Sequence, residues 1–202
     1  MNRKLVIPAM LFLIAASLGA ACIGISSVLS IEPRMLLDAD AYTNEKMPAM
    51  EMEAMIRRLR LAGALDPLNP ELLESLSRYY ELKSGESSVG READLGTSLS
   101  YVEKALRLRP SSPYGWAILL DAKSARKNPD REFHSALSIT DRLGPWEPAV
   151  QLVEIRAGLD HWSSLNDGEK NVIRNAILRA IKLQPEKVLA LLRRNDCGRP
   201  GC

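Results

Sequence analysis

Histidine and cysteine are scarce in this sequence, since its 202 residues include two histidines and three cysteines. His134 and His161 lie in different predicted helices, and neither has a cysteine or a paired acid nearby in a metal-binding spacing. The motifs G-x-x-x-x-G-K-[ST], G-x-S-x-G and H-E-x-x-H are also missing. We therefore predict no catalytic residue, no metal site and no cofactor, and we assign both histidines to the surface or to helix contacts. A catalytic site assembled from distant residues stays open.

A large excess of one charge is missing too. The formal net charge is +2, and Arg3 and Lys4 account for it because they are the only charged residues among the first 31. The remainder of the chain is therefore balanced. Nucleic-acid-binding domains usually carry a basic excess over their folded part, so we predict no nucleic-acid partner.

Residues 5–31 contain no charged residue. A membrane-spanning helix needs about 20 mainly apolar residues, so residues 1–31 are predicted to be a signal anchor with one transmembrane helix. A cleaved signal peptide usually has an apolar region of only about 7–15 residues. A lipoprotein signal would need a large aliphatic residue three positions before Cys22, where this sequence has Gly19. Both features favour an uncleaved anchor.

The charges beside this segment predict its orientation. Arg3 and Lys4 precede it, whereas acidic residues and a single Arg34 follow it. Positive residues tend to stay on the cytoplasmic side. We therefore predict a single-pass inner-membrane protein with a cytoplasmic N-terminus and its main domain in the periplasm.

Two of the cysteines, Cys197 and Cys202, lie in the closing segment CGRPGC. The glycines and the proline between them allow a tight turn, so a disulfide could form in an oxidising compartment. Two unpaired thiols on a frayed chain end are the equal alternative.

Apolar residues recur at helical spacing over most of the chain. Segment 171–183, NVIRNAILRAIKL, has apolar residues at steps of four, and segments 98–108, 133–143 and 149–162 show comparable stripes. No segment alternates apolar and polar residues as a strand would. We therefore predict an all-α protein. Its predicted parts are the anchor (1–31), a linker (32–54), helical repeats (55–193) and a tail (194–202).

Short proline-containing segments separate the predicted helices. Three of them share the frame Leu, any residue, Pro, any two residues, Pro: LDPLNP (65–70), LRPSSP (108–113) and LGPWEP (143–148). A fourth, LQPEKV (183–188), keeps the Leu and the first Pro. The first Pro should end a helix because its ring cannot continue the hydrogen-bond ladder. The second should begin the next helix, where its missing N–H costs nothing.

The spacing of these segments indicates a repeat. Their first prolines are 43, 35 and 40 residues apart, near the 34-residue period of tetratricopeptide repeats, with an insertion at 83–95. Trp116 and Tyr80 stand where that repeat has its Trp and its first-helix Tyr, whereas Ser77 and Leu120 depart from it. We predict degenerate tetratricopeptide-like repeats that form an α-solenoid, with Tyr80 and Trp116 between the helices.

Trp146 and Glu147 stand inside the third proline segment. An aromatic side chain beside a carboxylate could form a binding site, or could serve only the connection between two helices. Gly144 can take the left-handed conformation that ends a helix, and Glu147 stands where a helix N-terminus favours negative charge. We therefore interpret Trp146 as a side chain packed between helix ends. A partner contact by Trp146, Glu147, Trp116 or Tyr80 stays open.

Several stretches together resemble a known family. The segments 108–123 (LRPSSPYGWAILLDAK), 132–137 (EFHSAL), 142–151 (RLGPWEPAVQ) and 158–165 (GLDHWSSL) are similar to the VpsP family of polysaccharide biosynthesis proteins. The resemblance extends over residues 55–197. It implies an accessory role in making or exporting a surface polysaccharide. Since stacked helical repeats need no catalytic centre, we predict a non-enzymatic scaffold, with protein components of the assembly machinery and the inner membrane as partners. The resemblance carries over no catalytic residue.

Two other functions stay open. The chain could be an enzyme that acts on the glycan or on its lipid carrier. It could also be a tetratricopeptide chaperone of another envelope pathway, such as cytochrome c maturation. Neighbouring glycosyltransferase genes would support the polysaccharide role, and haem-handling genes would support the chaperone role.

Overall fold

The computed structural model describes residues 3–40, 47–86, 89–126 and 129–196. These residues form nine α-helices and one short 3₁₀ helix (Trp162–Ser164), and no strand occurs among them. The predicted all-α class is therefore confirmed. The helices are α1 (Arg3–Asp40), α2 (Ala49–Leu65), α3 (Pro70–Glu86), α4 (Arg91–Leu108), α5 (Pro113–Ala125), α6 (Arg131–Leu143), α7 (Pro148–Asp160), α8 (Asp167–Leu183) and α9 (Pro185–Asp196).

The proline segments end one helix and begin the next, as predicted. In the first three, the helix ends at the Leu of the frame and the next helix begins at the second Pro. In the fourth, which has one Pro, α9 begins at that Pro185. Ser112 caps α5 by accepting a hydrogen bond from the Gly115 amide at 3.0 Å. We call these connections the proline joints; they are 66–69, 109–112, 144–147 and residue 184.

The predicted linker over 32–54 is wrong at both of its ends. Helix α1 continues to Asp40 and α2 already begins at Ala49, and residues 41–46 lie outside the described part. Contacts with other helices hold this part of α1 in place, since the Tyr79 hydroxyl donates to the Pro33 carbonyl oxygen at 2.7 Å. Tertiary contacts of this kind leave no periodic stripe that a sequence pattern could reveal.

The predicted insertion at 83–95 is also distributed differently. Most of it extends two helices, because α3 has 17 residues and α4 has 18, whereas α5 and α6 have 13 each. Gly90 precedes α4 in the left-handed conformation, with φ of 84°, which glycine adopts without steric cost. The first interval is therefore longer because its helices are longer. The predicted tail likewise begins later, since α9 continues to Asp196.

The odd-numbered helices pack side by side in one row. Contacts join α1 to α3, α3 to α5, α5 to α7 and α7 to α9. Each even-numbered helix packs against the odd-numbered helix before it and the one after it. We call the first set the odd row.

Three apolar clusters occupy the space between the helices. The central cluster contains residues of five helices, α4, α5, α6, α7 and α8. It includes Phe133, Leu120 and Ile173, each fully buried. A second cluster joins α2 and α3 and takes in Leu36 and Leu37 of α1. A third joins α7, α8 and α9 around Ile155. This core holds the odd row in register and so positions its polar side chains.

Helix α1 has an apolar surface that the rest of the protein leaves uncovered. Its stretch Met10–Leu37 is long and apolar enough to cross a membrane. Phe12 is 72% exposed, and the other described large apolar residues of its first half are similarly open. Length and composition therefore agree with the predicted membrane helix.

Candidate functional site

Tyr80 and Trp116 lie between helices. Tyr80 is buried, its ring stacks on Tyr101 with 5.8 Å between centroids, and its hydroxyl accepts a hydrogen bond from Arg60. Trp116 is half-buried against the central cluster, and its Nε1 donates to the Pro110 carbonyl oxygen at 2.8 Å. Both side chains connect a helix to its neighbours, so their arrangement is that of packing residues.

The interpretation of Trp146 as a packed side chain is wrong, because 68% of Trp146 is exposed. The space at this joint is filled instead by Val150 and Pro113, which pack directly over Gly144. A Cβ on Gly144 would lie 2.9 Å from both of them. Gly144 has φ of −128°, so it is not left-handed as expected. Close approach between helices, rather than a positive φ, requires glycine here.

Glu147 faces the same surface as Trp146. Its carboxylate does not cap α7, and instead accepts a hydrogen bond from the Tyr114 hydroxyl at 2.7 Å. Trp146 and Glu147 therefore belong to the outer surface of a joint. The predicted disulfide between Cys197 and Cys202 lies outside the described residues and stays a prediction.

The two histidines connect helices. His134 Nδ1 on α6 is 2.8 Å from the carboxylate of Glu169 on α8. His161 Nε2 is 3.1 Å from the Ser124 carbonyl oxygen, and its ring packs edge-on against Phe133. Both rings pack edge-on against Phe133, but their hydrogen-bond partners differ among the described residues.

A chain of charged residues crosses the odd row. Arg78 on α3 donates to Glu81 on the same helix at 3.1 Å and to Asp121 on α5 at 3.0 Å. Arg156 on α7 pairs with the same Asp121 oxygen. One buried carboxylate on α5 thus joins the guanidinium groups of its two neighbouring helices.

The chain of charges continues to the last helix. Asp160, one turn after Arg156 on α7, accepts from Arg194 on α9 at 3.2 Å. We call the six residues the charged ladder; they are Arg78, Glu81, Asp121, Arg156, Asp160 and Arg194. The ladder alternates in sign along most of its length and connects α3, α5, α7 and α9.

Burial and neighbouring charges shift the pKa values within the ladder in opposite directions. Burial, reinforced by the negative charge of Asp121, raises the pKa of Glu81 to about 8. Burial would raise the pKa of Asp121 too, but Arg156 and Arg78 together lower it below its usual value. Asp121 is therefore the fixed anion of the ladder, while Glu81 holds a proton up to neutral pH.

Beside the ladder lies a cleft with a volume of about 630 Å³. It lies where α5 and α7 end, away from the proline joints, and it contains both ladder carboxylates of those helices. The polar residues around it are Arg91, Asp121, Ser124, Asp160, His161, Ser163 and Ser164. Its carboxylates, hydroxyls and guanidinium suit a ligand that both donates and accepts hydrogen bonds, such as a polar peptide segment.

A second buried carboxylate, Glu74 on α3, is fully compensated. It accepts from Arg109 Nη2 at 3.0 Å and 3.1 Å and from the Ser112 hydroxyl at 2.8 Å. Since Arg109 and Ser112 belong to the second proline joint, this network attaches that joint to α3.

A third, Glu154 on α7, is buried without such partners. Both carboxylate oxygens lack a hydrogen bond among the described residues, and nothing of the side chain is exposed. Burial first, and then the charge of Asp141, raise the pKa of Glu154 to about 8, although Arg179 acts in the opposite direction. Glu154 therefore carries a proton at neutral pH.

Sequence reasoning missed the ladder, the cleft and both of these glutamates. One signal was present, because Asp121 interrupts the apolar run AILLDA and so occupies a core-facing position of α5. Nothing local indicates that its partners are Arg78 and Arg156, which are distant in the chain.

No group of three or more His, Cys, Asp or Glu side chains in the described ranges is arranged to hold a metal ion. No family model matches the chain, and no curated protein is similar to it.

Proposed function

We propose that this chain is a membrane-anchored scaffold protein of exopolysaccharide biosynthesis or export, and that it is not an enzyme. The charged ladder and its adjoining cleft carry the binding part of the proposal. The ladder connects four helices, and the cleft beside it is lined by charged and hydroxyl side chains, which suits a polar segment of a partner protein.

The repeat character is part of this proposal. We infer that the two-helix units are degenerate tetratricopeptide-like repeats stacked into an α-solenoid. Support comes from the side-by-side odd row and from the proline joints, which recur at related positions. A solenoid presents a long surface and needs no catalytic centre to be useful.

We further propose that α1 spans the inner membrane once, with the N-terminus in the cytoplasm and α2–α9 in the periplasm. The length and apolar surface of α1 support the span, and Arg3 and Lys4 support the orientation. A periplasm-specific reporter fused after Cys202 should be active, and activity of a cytoplasm-specific reporter at that position would overturn the orientation.

The polysaccharide assignment rests on the resemblance of LGPWEPAVQ and its companion segments to the VpsP family. Deletion of the gene should therefore reduce surface polysaccharide. A stably folded variant with His134 and Glu147 both replaced should restore it, because neither residue lines the proposed binding cleft and no catalysis by them is proposed. Failure of that folded variant would favour the alternative of an enzyme.

Site-specific photocross-linking tests the scaffold surface directly. A cross-linking amino acid at Asp160 or Ser164 should capture protein components of the polysaccharide machinery in the native membrane. The matched positions Ser138 on α6 and Asn175 on α8 are exposed and lie outside the odd row, so they should not. Capture of haem-handling proteins would favour the chaperone alternative, and equal capture at all four positions would contradict a specific surface.

A further inference from the structure

Contacts between α1 and α2 determine which end of the domain faces the membrane. The Ser26 hydroxyl donates to the Ala62 carbonyl oxygen at 3.0 Å, and Glu32 pairs with Arg58, so the two helices run antiparallel. The end of α2, and with it the first proline joint, therefore points along α1 towards its N-terminal, apolar half. If that half lies in the bilayer, the joint lies at the bilayer surface.

The length of α1 agrees with this placement. Ser26 and Ser30 are buried by the domain, so the membrane-embedded part ends near Ile25. Residues 5–25 form a helix of about 31 Å at 1.5 Å per residue, which matches the hydrocarbon thickness of about 30 Å. The helix thus enters the domain with no free segment between them.

The four proline joints are connected to one another along a single edge of the domain. Arg109 of the second joint contacts Glu71, directly after the first. Gly144 of the third packs on Pro113, directly after the second. Gln184, the fourth, donates to the Pro148 carbonyl oxygen, directly after the third, at 2.7 Å. We call this the joint edge.

Each joint exposes a large apolar side chain. Leu68 and Trp146 lie within the first and third joints, and Leu108 and Leu183 end the helices before the second and fourth. Their exposed fractions range from 43% to 73%. Four such residues along one edge, one of them a tryptophan, are typical of a surface that dips into the membrane interface.

Cations accompany these apolar residues. Arg107, Arg142 and Lys182 each stand directly before the leucine that ends an even-numbered helix, and all three are exposed. None of them forms an ion pair within the described part of the chain. Two of the nearby carboxylates are already engaged, since Glu71 pairs with Arg109 and Asp141 with Arg179. The cations are therefore available to anionic lipid headgroups.

We propose that the joint edge rests on the surface of the bilayer that α1 spans, with its apolar side chains in the interface and its cations against anionic headgroups. The domain then lies along the membrane, and the cleft at the opposite helix ends faces away from it. This inference rests on the proposed membrane span of α1.

Nitroxide accessibility in the full chain tests it. Single cysteines replace Leu68, Trp146 or Leu183 on the joint edge, Val89 or Ser163 at the opposite helix ends, and Ile14 in α1, with Cys22, Cys197 and Cys202 changed to Ser. The protein is reconstituted at one copy per nanodisc containing phosphatidylglycerol. For each label we compare the relaxation caused by oxygen with the relaxation caused by a water-soluble nickel chelate. We expect this ratio to be severalfold higher for the joint-edge labels than for the labels at Val89 and Ser163.

The outcomes separate the two proposals. If the Ile14 label is lipid-exposed while the joint-edge labels are as exposed to water as the labels at Val89 and Ser163, the joint-edge proposal fails and the proposed anchor stands. If the Ile14 label is wetted, the anchor itself fails. If the joint-edge labels stay shielded from water in detergent, and dipolar broadening shows that labels on two chains lie close together, the edge binds a second copy. That result would overturn the proposal.

Charge removal gives matched pairs on single helices. Arg142→Gln and Lys182→Gln should each lower the ratio of lipid-exposed to water-exposed edge labels about fivefold. Arg131→Gln and Lys170→Gln, near the opposite ends of the same helices, should leave it unchanged. If the joint-edge variants and the opposite-end variants have equal effects, or if none of the four has an effect, the cations serve only their own helix ends.

Discussion

The second and third proline joints share one sequence frame, yet each has a buried glutamate nearby in a different situation. Glu74 accepts hydrogen bonds from Arg109 and Ser112 of the second joint. Glu154, on the helix that begins at the third joint, is fully buried and has no hydrogen bond from the described residues. The chain thus compensates one buried acid and leaves the other to be neutralised by a proton.

This difference shows that burial and partners must be judged separately. Cationic and hydroxyl donors around a buried carboxylate favour its charged form, and burial without such donors favours its protonated form. The second joint is therefore held by polar contacts and the third by close apolar contact at Gly144.

The largest expected effect concerns pH. Because the pKa of Glu154 is raised to about 8, the folded state keeps a proton that the unfolded state loses above pH 4.5. The contribution of Glu154 to stability is therefore fully present below pH 4.5 and is lost as pH rises from 4.5 to 8, at up to roughly 1.4 kcal/mol per pH unit for this one group. Glu154→Gln should flatten this fall in unfolding experiments on the full chain in detergent. The pKa of Glu81 is raised as well, so part of the fall in stability with pH should remain in this variant. A pH dependence equal to that of the unaltered protein would contradict the raised pKa of Glu154.

The second largest effect is expected for removal of Glu74, the buried acid that has hydrogen-bond partners. Glu74→Leu leaves Ser112 without its acceptor and Arg109 with only the Glu71 contact at 3.4 Å, and loss of one partner of a buried pair costs about 3–5 kcal/mol. Because 37% of the Arg109 side chain is exposed, water replaces part of the contact and we expect about 3 kcal/mol. The control Glu154→Leu should be neutral or stabilising at pH 8. Similar losses in both variants by thermal unfolding would remove the distinction between the two regions.

A smaller effect should follow crowding of the third joint. Gly144→Ala puts a Cβ against Pro113 and Val150 and should destabilise the protein by about 2 kcal/mol through overpacking. Gly63→Ala is the control, because its Cβ meets nothing within 4 Å and alanine is favoured in a helix by about 1 kcal/mol. If the two variants change the free energy of unfolding in opposite directions in chemical denaturation, close packing at Gly144 is supported. Changes in the same direction would argue against it.

The smallest effect is expected for Trp146→Ala. Since the side chain is exposed, its removal should change stability by less than about 0.5 kcal/mol. Trp116→Ala, which removes a half-buried ring and a hydrogen bond from the second joint, should cost about 2–3 kcal/mol. A comparable fall in melting temperature for both variants would mean that Trp146 packs between helices after all.

Features that depend on neighbouring residues were predictable from the sequence. The helix boundaries at Leu65, Leu108 and Leu143 follow from proline chemistry, and the helices themselves follow from apolar spacing. Features that depend on distant residues were not. The helical part of the predicted linker, the surface position of Trp146 and the charged ladder all arise from contacts between segments far apart in the chain.

The sequence by itself determined an all-helical protein, the places where its helices stop, and an uncharged apolar helix at its start. These follow because proline geometry and periodic burial act within a few residues. Only the tertiary structure decided that Asp121 joins Arg78 to Arg156, that Glu74 has hydrogen-bond partners while Glu154 has none among the described residues, and that the joints align along one edge. The physical reason is that an ion pair or a buried acid is defined by which helices come to lie side by side, and no local pattern contains that information.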